Sequence, residues 1–204
     1  MQLDFHYHRY SNLIVQYDDK FQIDYQEIIN VLESISEQDL IDTFIQRKLE
    51  RKDIKSLSEP INFLIKQRLV ALGWASETGI FREPPYDDTN SSRWRLDFSK
   101  NLISVEVAFN HGEAIAHNIM KPVLASEKNH VVKDIETELG VIISATNELK
   151  ASGNFDSAVG TFEKFKSYFK PYNNLVPTPI VLIGLKETNS FRVNKQTKLI
   201  ELIP

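Results

Sequence analysis

"RWRLDFSKNLISVEVAFNHGEA", residues 93–114, decides how this chain is read. Leu96–Phe98 is strand-like, "SKN" is a polar turn, and "LISVEVAF" is a second strand-like run. Side chains alternate along a strand with period two, so Ile103, Val105, Val107 and Phe109 project to one face and Ser104, Glu106 and Ala108 to the other. The pattern predicts a hairpin that brings Asp97 and Glu106 together at one end of a sheet. Burying an unpaired charge is costly, and two converging carboxylates repel unless a cation neutralises them. An all-oxygen ligand set suits magnesium, which polarises a phosphoryl oxygen and lowers the pKa of a bound water.

Working outward, the N-terminal twenty residues alternate loosely, and "SNLIVQY" reads as an edge strand. Ile28, Ile29 and Leu32 have helical spacing. Ser36 with Asp39 forms a capping signal before a helix that places Leu40, Ile41, Phe44, Ile45 and Leu49 on one face. A helix from about Pro60 to Leu72 is expected to stop at Gly73, with Pro60 in its first turn and Trp74 in the core. Residues 75–95 read mostly as loop, broken by a short strand near Ile80–Phe81, because Pro84, Pro85, Asn90 and two serines oppose regular structure. Downstream, residues 113–126 read as a helix that Pro122 kinks or ends. "GVIISA" (140–145) and "PIVLIGLK" (179–186) are buried strands. Residues 155–170 read as an amphipathic helix, and the tail "SFRVNKQTKLIEL" as a hairpin. Strands alternating with helices predict an α/β fold with a mixed central sheet flanked by helices.

The 204 residues suit one domain, expected as a helical part over 1–58, a catalytic core over 59–186 and a hairpin over 187–204. A hydrophobic share of 42% supplies a core, and a net charge of −4 gives no general attraction to nucleic acid or anionic membranes. It leaves room for carboxylates that bind divalent cations. With no cysteine, disulfides, thiolate metal sites and cysteine nucleophiles are excluded. The N-terminus lacks a secretory pattern, and no apolar run approaches the roughly 20 residues of a membrane span, so a cytoplasmic protein is expected. Neither a phosphate-cradling glycine loop nor a nucleophile elbow is present. His6 and His8 read as a solvated terminus, and Lys164, Lys166 and Lys170 as the solvated face of their helix. His117 and His130 have no partner at ligand spacing.

The acid pair and its setting resemble the BglII/BstYI-like branch of the PD-(D/E)XK nuclease superfamily, the type II restriction endonucleases. "RLDF…SVEVAFNHGEA" is similar to their catalytic strands, "INFLIKQRLVALGW" (61–74) to the helix and corner before them, and "LVPTPIVLIGL" (175–185) to a segment near the C-terminus. The resemblance spans about residues 60–185. It implies a homodimer that hydrolyses phosphodiesters in a short palindromic site of duplex DNA with Mg2+, leaving a 5′-phosphate and a 3′-hydroxyl. A GATC-centred site is implied more weakly. Asp97 and Glu106 match the metal-binding acids, and Glu77 an auxiliary polar position. The superfamily's lysine slot, glutamine in this branch, holds Ala108. The water-orienting role then falls to His111, Glu77, a second metal ion or the substrate's own phosphate. Asn110 and His111, and Ser152, Asn154 and Ser157 in a loop expected to open a helix, match DNA-contacting positions. Asn pairs bidentately with adenine, and Ser serves either partner of a base pair.

Two other readings stand beside this one. Ala108 motivates a binding protein on the same fold that has lost its chemistry. The net negative charge motivates a scaffold that does not touch nucleic acid. Taken singly, Asp97 reads as a turn residue and Glu106 as a solvent-facing strand acid. His111 and Glu77 read equally as ordinary surface groups, and Ser152 and Asn154 beside Gly153 as turn formers.

Overall fold

A computed structural model describes residues 1–87, 94–128 and 131–203. The loop expected around Asn90 and the two serines, and His130, lie outside the described residues. The architecture is a six-stranded mixed sheet between two helical layers, with a two-stranded ribbon at the C-terminal end.

Strand β1 (Leu3–His8) leads into α1 (Ser11–Tyr17), α2 (Asp19–Ser34), α3 (Glu37–Glu50) and α4 (Ser58–Ala71). Strands β2 (Ala75–Gly79), β3 (Arg95–Lys100) and β4 (Ile103–Val107) follow, then α5 (Ile115–Ser126), β5 (Leu139–Ala145), α6 (Asn147–Ser152) and α7 (Phe162–Phe169). Strand β6 (Ile180–Leu185) completes the sheet, and β7 (Phe191–Val193) with β8 (Ile200–Leu202) forms the ribbon. The order across the sheet is β1-β6-β5-β4-β3-β2. Strands β4, β5 and β6 run parallel, while β3, β2 and the outer β1 pair antiparallel to their neighbours.

Period-two alternation sorts the apolar residues into two layers. Val141, Ile143, Val181 and Ile183 join Ile103, Val105 and the residues of α2 and α4 in the larger core. Ile142, Ile180 and Leu182 face the other way, under Ile115, Ile119 and Val123 of α5 and Phe162, Phe165 and Phe169 of α7. Parallel strands covered on both faces read as continuous apolar runs, as "GVIISA" and "PIVLIGL" do.

Several local expectations hold. Ser36 and Asp39 form a capping box at α3. Helix α4 ends as expected: Gly73 takes φ +84, the Trp74 N–H donates to the Leu69 carbonyl and the Gly73 N–H to that of Val70. This is a Schellman ending, for which glycine has no Cβ penalty. Trp74 is buried. Helix α5 runs through Pro122 to Ser126 without ending there. The Pro122 ring packs so closely on β5 that a Cβ on Gly140 would lie 2.7 Å from the Pro122 Cβ.

Others are corrected. "SNLIVQY" is α1, and the edge strand is β1, nearer the N-terminus. Ile45 and Leu49 of α3 are exposed, and Thr43 is buried beside Leu40 and Phe44. Residues 75–79, expected as loop, form β2, whereas Phe81 makes only an isolated bridge to Lys133. The helix expected over 155–170 begins at Phe162. His8 is buried: its Nε2 lies 2.8 Å from the Val176 carbonyl, and its ring stacks on Phe169.

Candidate active site

The hairpin forms as its alternation requires. Lys100 pairs with Ile103 across a tight turn in which Asn101 takes φ 47, a left-handed conformation that Asn tolerates. The turn is tied to α2: Asn101 Nδ2 donates to Asp24 Oδ2 at 2.7 Å and Lys100 Nζ to Glu27 Oε2 at 2.7 Å. Trp74 Nε1 donates to the same Glu27 oxygen at 2.9 Å. The end of α4 and the tip of the hairpin therefore share one anchor.

Beyond the Phe98–Val105 pair the side chains take over from the ladder. Asp97 and Glu106 come next in that register. The Val107 N–H donates to Asp97 Oδ2 at 2.7 Å, and the Asp97 N–H donates to Glu106 Oε1 at 3.3 Å. Each carboxylate thus caps a backbone group of the opposite strand, which fixes both side chains in the gap. Glu106 is only 2% exposed, so the solvent-facing reading of this residue is overturned. Lys121 of α5 reaches its other oxygen, Nζ to Oε2, at 2.7 Å.

Burial sets the electrostatics. It pushes the Glu106 pKa up to about 8, reinforced by the Asp97 charge and opposed by Lys121 and by the Asp97 N–H. Burial also raises Asp97 above the usual aspartate range. The Val107 N–H, Lys121 and Lys66 pull it back, while Glu77 adds to the rise. Glu77 lies on β2 between Ser76 and Thr78, the partners of Phe98 and Leu96, so it stands across from Asp97. It takes φ 56, an unusual conformation for a non-glycine residue, and pairs with Lys66 of α4 at 3.7 Å. Three acids therefore lie in one row across β2, β3 and β4.

Among the described residues no three His, Asp or Glu side chains are arranged to hold a metal ion by themselves. The pair Asp97 and Glu106 offers oxygen donors only, and burial first of all raises both above the usual carboxylate range. A hard divalent cation fits this donor set, with water and substrate oxygens completing its shell.

The remaining sequence candidates cluster by topology. Asn110 and His111 follow β4 and Ser152 ends α6 after β5, so all three lie beyond the C-terminal ends of parallel strands. His111 is exposed and bridges to Val159. Asn110 Oδ1 accepts from Asn118 Nδ2 at 2.8 Å. Ser152 Oγ donates to the Leu149 carbonyl at 3.4 Å. Asn154 takes φ 54, and its Nδ2 donates to the Lys55 carbonyl at 2.6 Å, so it has a turn-forming job of its own. The Ser157 carbonyl accepts from Lys150 Nζ at 2.7 Å. The loop does not open a helix directly, because α7 starts only at Phe162.

Lys121 is the residue that sequence reasoning missed. Its only signal is a lone cation within the apolar run "IAHNIMKPVLA", since its distance from Glu106 depends on how α5 packs on the sheet.

A family model described as restriction endonuclease BglII/BglIII matches residues 3–185. The fold is similar to the crystal structure of restriction endonuclease BglII complexed with a DNA 16-mer, with TM-score 0.65 and 18% identity over 98% of this chain and 87% of that chain. It is also similar to free BglII, with TM-score 0.57 and 17% identity over 92% of this chain and 81% of that one. A comparison with curated protein sequences gives no match.

Proposed function

The chain belongs to the restriction endonuclease BglII/BglIII family, and on that premise we propose that Asp97 and Glu106 are the metal-binding acids of a Mg2+-dependent enzyme that cuts duplex DNA at a short palindromic site. By family it is a type II site-specific deoxyribonuclease. The observation that carries the proposal is the facing of the buried Glu106 carboxylate and the half-buried Asp97 carboxylate where the β3–β4 ladder gives way to side-chain caps. A like charge beside a buried carboxylate disfavours its ionised form; Lys121 offsets this at Glu106 Oε2, and the oxygens that the two acids share across the strands support a cation-binding role.

Asp97 and Glu106 hold oxygen donors at fixed positions, because each is oriented by a backbone N–H of the neighbouring strand. Bound Mg2+ supplies Lewis-acid polarisation of a phosphoryl oxygen and a more acidic water. Water attacks phosphorus and gives up a proton to solvent, a new P–O bond forms and the bond to the 3′ oxygen breaks. The leaving oxygen takes a proton from solvent, giving a 3′-hydroxyl and a 5′-phosphate. Glu77 tunes Asp97 from β2 through its charge. In this reading His111, exposed and four residues beyond the end of β4, is a candidate water-orienting group.

DNA is the proposed partner, in line with the complexed state of the BglII structure. Asn110, His111, Ser152 and Ser157 are the proposed readers, with Asn154 as a weaker member because its amide already holds the 55 carbonyl. A palindromic site implies a homodimer with matching two-fold symmetry, and a GATC centre remains the expectation for the site. A cytoplasmic location belongs to the same proposal; among the described residues no helix is long and apolar enough to cross a membrane.

Digestion of a mapped plasmid with Mg2+, followed by sequencing of the ends, tests the proposal. Discrete fragments with 5′-phosphates at one repeated sequence are expected, lost in Asp97→Ala and without Mg2+. Specific duplex binding with no nicking in Mg2+ or Mn2+ would leave the chemically inert alternative instead.

A further inference from the structure

The catalytic strand carries Ala108 two residues after Glu106, where the superfamily pattern sought a lysine. The structure explains the small side chain. Ala108 is 1% exposed and packs with Ile115, Ile119 and Val123 of α5 and with Ile142 of β5. A longer side chain at this position would have to enter that apolar layer, where overpacking is destabilising. The same helix returns a cation to the site. Lys121 Nζ lies 2.7 Å from Glu106 Oε2, with the lysine side chain 13% exposed.

Helix α5 is held in register for this. Asn118 and Lys121 are three residues apart and so share one face of the helix. Asn118 binds Asn110 just past the end of β4, and Lys121 binds Glu106 within it. Two side-chain tethers therefore fix the helix along the catalytic strand. The second lysine near the acids, Lys66, is half exposed and engages Glu77 at 3.7 Å.

We propose that Lys121, delivered by α5, replaces the missing strand lysine by positioning the Glu106 carboxylate for metal. The inference rests on the nuclease reading of Asp97 and Glu106. Lys121 is a positioning residue, acting through Glu106. With the carboxylate shared between an ammonium and an incoming cation, the lysine lowers the affinity for metal in free protein while orienting the ligand oxygen.

Lys121→Met and Lys121→Arg test this beside wild type and Asp97→Ala. Three readouts are taken: single-turnover cleavage of duplex at saturating Mg2+, duplex binding without metal, and the rise in melting temperature caused by Mg2+ without DNA. For Lys121→Met, cleavage is expected to fall about 10- to 100-fold, as for groups that orient a metal ligand. Metal-free duplex binding is expected to stay within about threefold, a difference well under 1.4 kcal/mol. The Mg2+-induced rise is expected to exceed that of wild type, because the ammonium no longer competes for Glu106. Lys121→Arg keeps the charge and is expected to cut within about tenfold of wild type, above the Met variant.

Wild-type cleavage by Lys121→Met, with Asp97→Ala inactive, would overturn the lysine inference and leave the nuclease reading standing. So would a Mg2+-induced rise no larger than that of wild type. If the Met variant does not fold, the Arg variant decides: cutting near wild type supports the inference, and a folded but inactive Arg variant overturns it. Absence of cleavage and of any Mg2+ effect in wild type would overturn both.

Discussion

Glu106 is buried with a negative neighbour on one side and a single ammonium on the other. Its folded pKa of about 8 lies above the ordinary value of 4.5. Between these values the folded state holds more protons than the unfolded one, so stability falls as pH rises through that window. Above pH 8 the penalty is complete. The Glu106→Gln variant cannot titrate, so in metal-free buffer its melting temperature is expected to gain on wild type steadily from about pH 4.5 to about pH 8. Loss of the Lys121 ion pair adds an offset wherever the carboxylate is charged, yet a difference that stays flat across the window would refute the burial argument. At this scale the acid pair was legible, because period-two alternation and a short turn suffice to oppose Asp97 and Glu106. Lys121 was not, because fifteen residues and a helix-to-sheet contact separate it from its partner. Asn154, a proposed DNA contact, also has a local use that the sequence does not show, since its amide holds the Lys55 carbonyl.

At the scale of elements, caps and continuous apolar runs carried the most information. The α3 capping box satisfies two backbone donors reciprocally, and Ser36→Ala is expected to cost about 1 kcal/mol in urea unfolding. No change in midpoint would mean that the cap contributes nothing. Misread elements share a cause, which is tertiary pairing overriding local pattern. The chain reverses at Arg9 and Tyr10, both left-handed with φ 54 and 58. "SNLIVQY" then lies as a helix with Ser11, Ile14 and Val15 turned inward, and Ser11 Oγ donates to the Ile180 carbonyl at 2.9 Å. "ASETG" lacks the β-branched apolar residues of a strand, yet the free edge of β3 recruits it. Phe155 and Val159 have helical spacing with Phe162, but they pack in the larger core while Phe162 joins the opposite layer. One helix face could not serve both.

At the scale of the molecule, the sheet divides its work. Strands β4, β5 and β6 form the parallel centre covered on both faces, and β2, β3 and β4 carry the row of acids toward one edge. Asn110, His111 and Ser152 follow the C-terminal ends of the parallel strands, so the proposed chemistry and the proposed sequence readout adjoin along β4. The fold class was legible from the order of strands and helices. The proposed homodimer leaves no such trace, because a two-fold interface has no fixed spacing in sequence. A palindromic substrate calls for two such sites related by symmetry. Light scattering is therefore expected to give twice the 23.6 kDa chain mass, and a particle of one chain mass on its duplex would remove the dimer.

The most direct measurement is an anomalous difference map from crystals of the protein with a duplex and Mn2+ standing in for Mg2+. A peak is expected between the carboxylates of Asp97 and Glu106, at roughly 2.1 Å from an oxygen of each. Strong Mn2+ density elsewhere, with those two side chains still capping the Val107 and Asp97 N–H groups and bare of metal, would contradict the assignment.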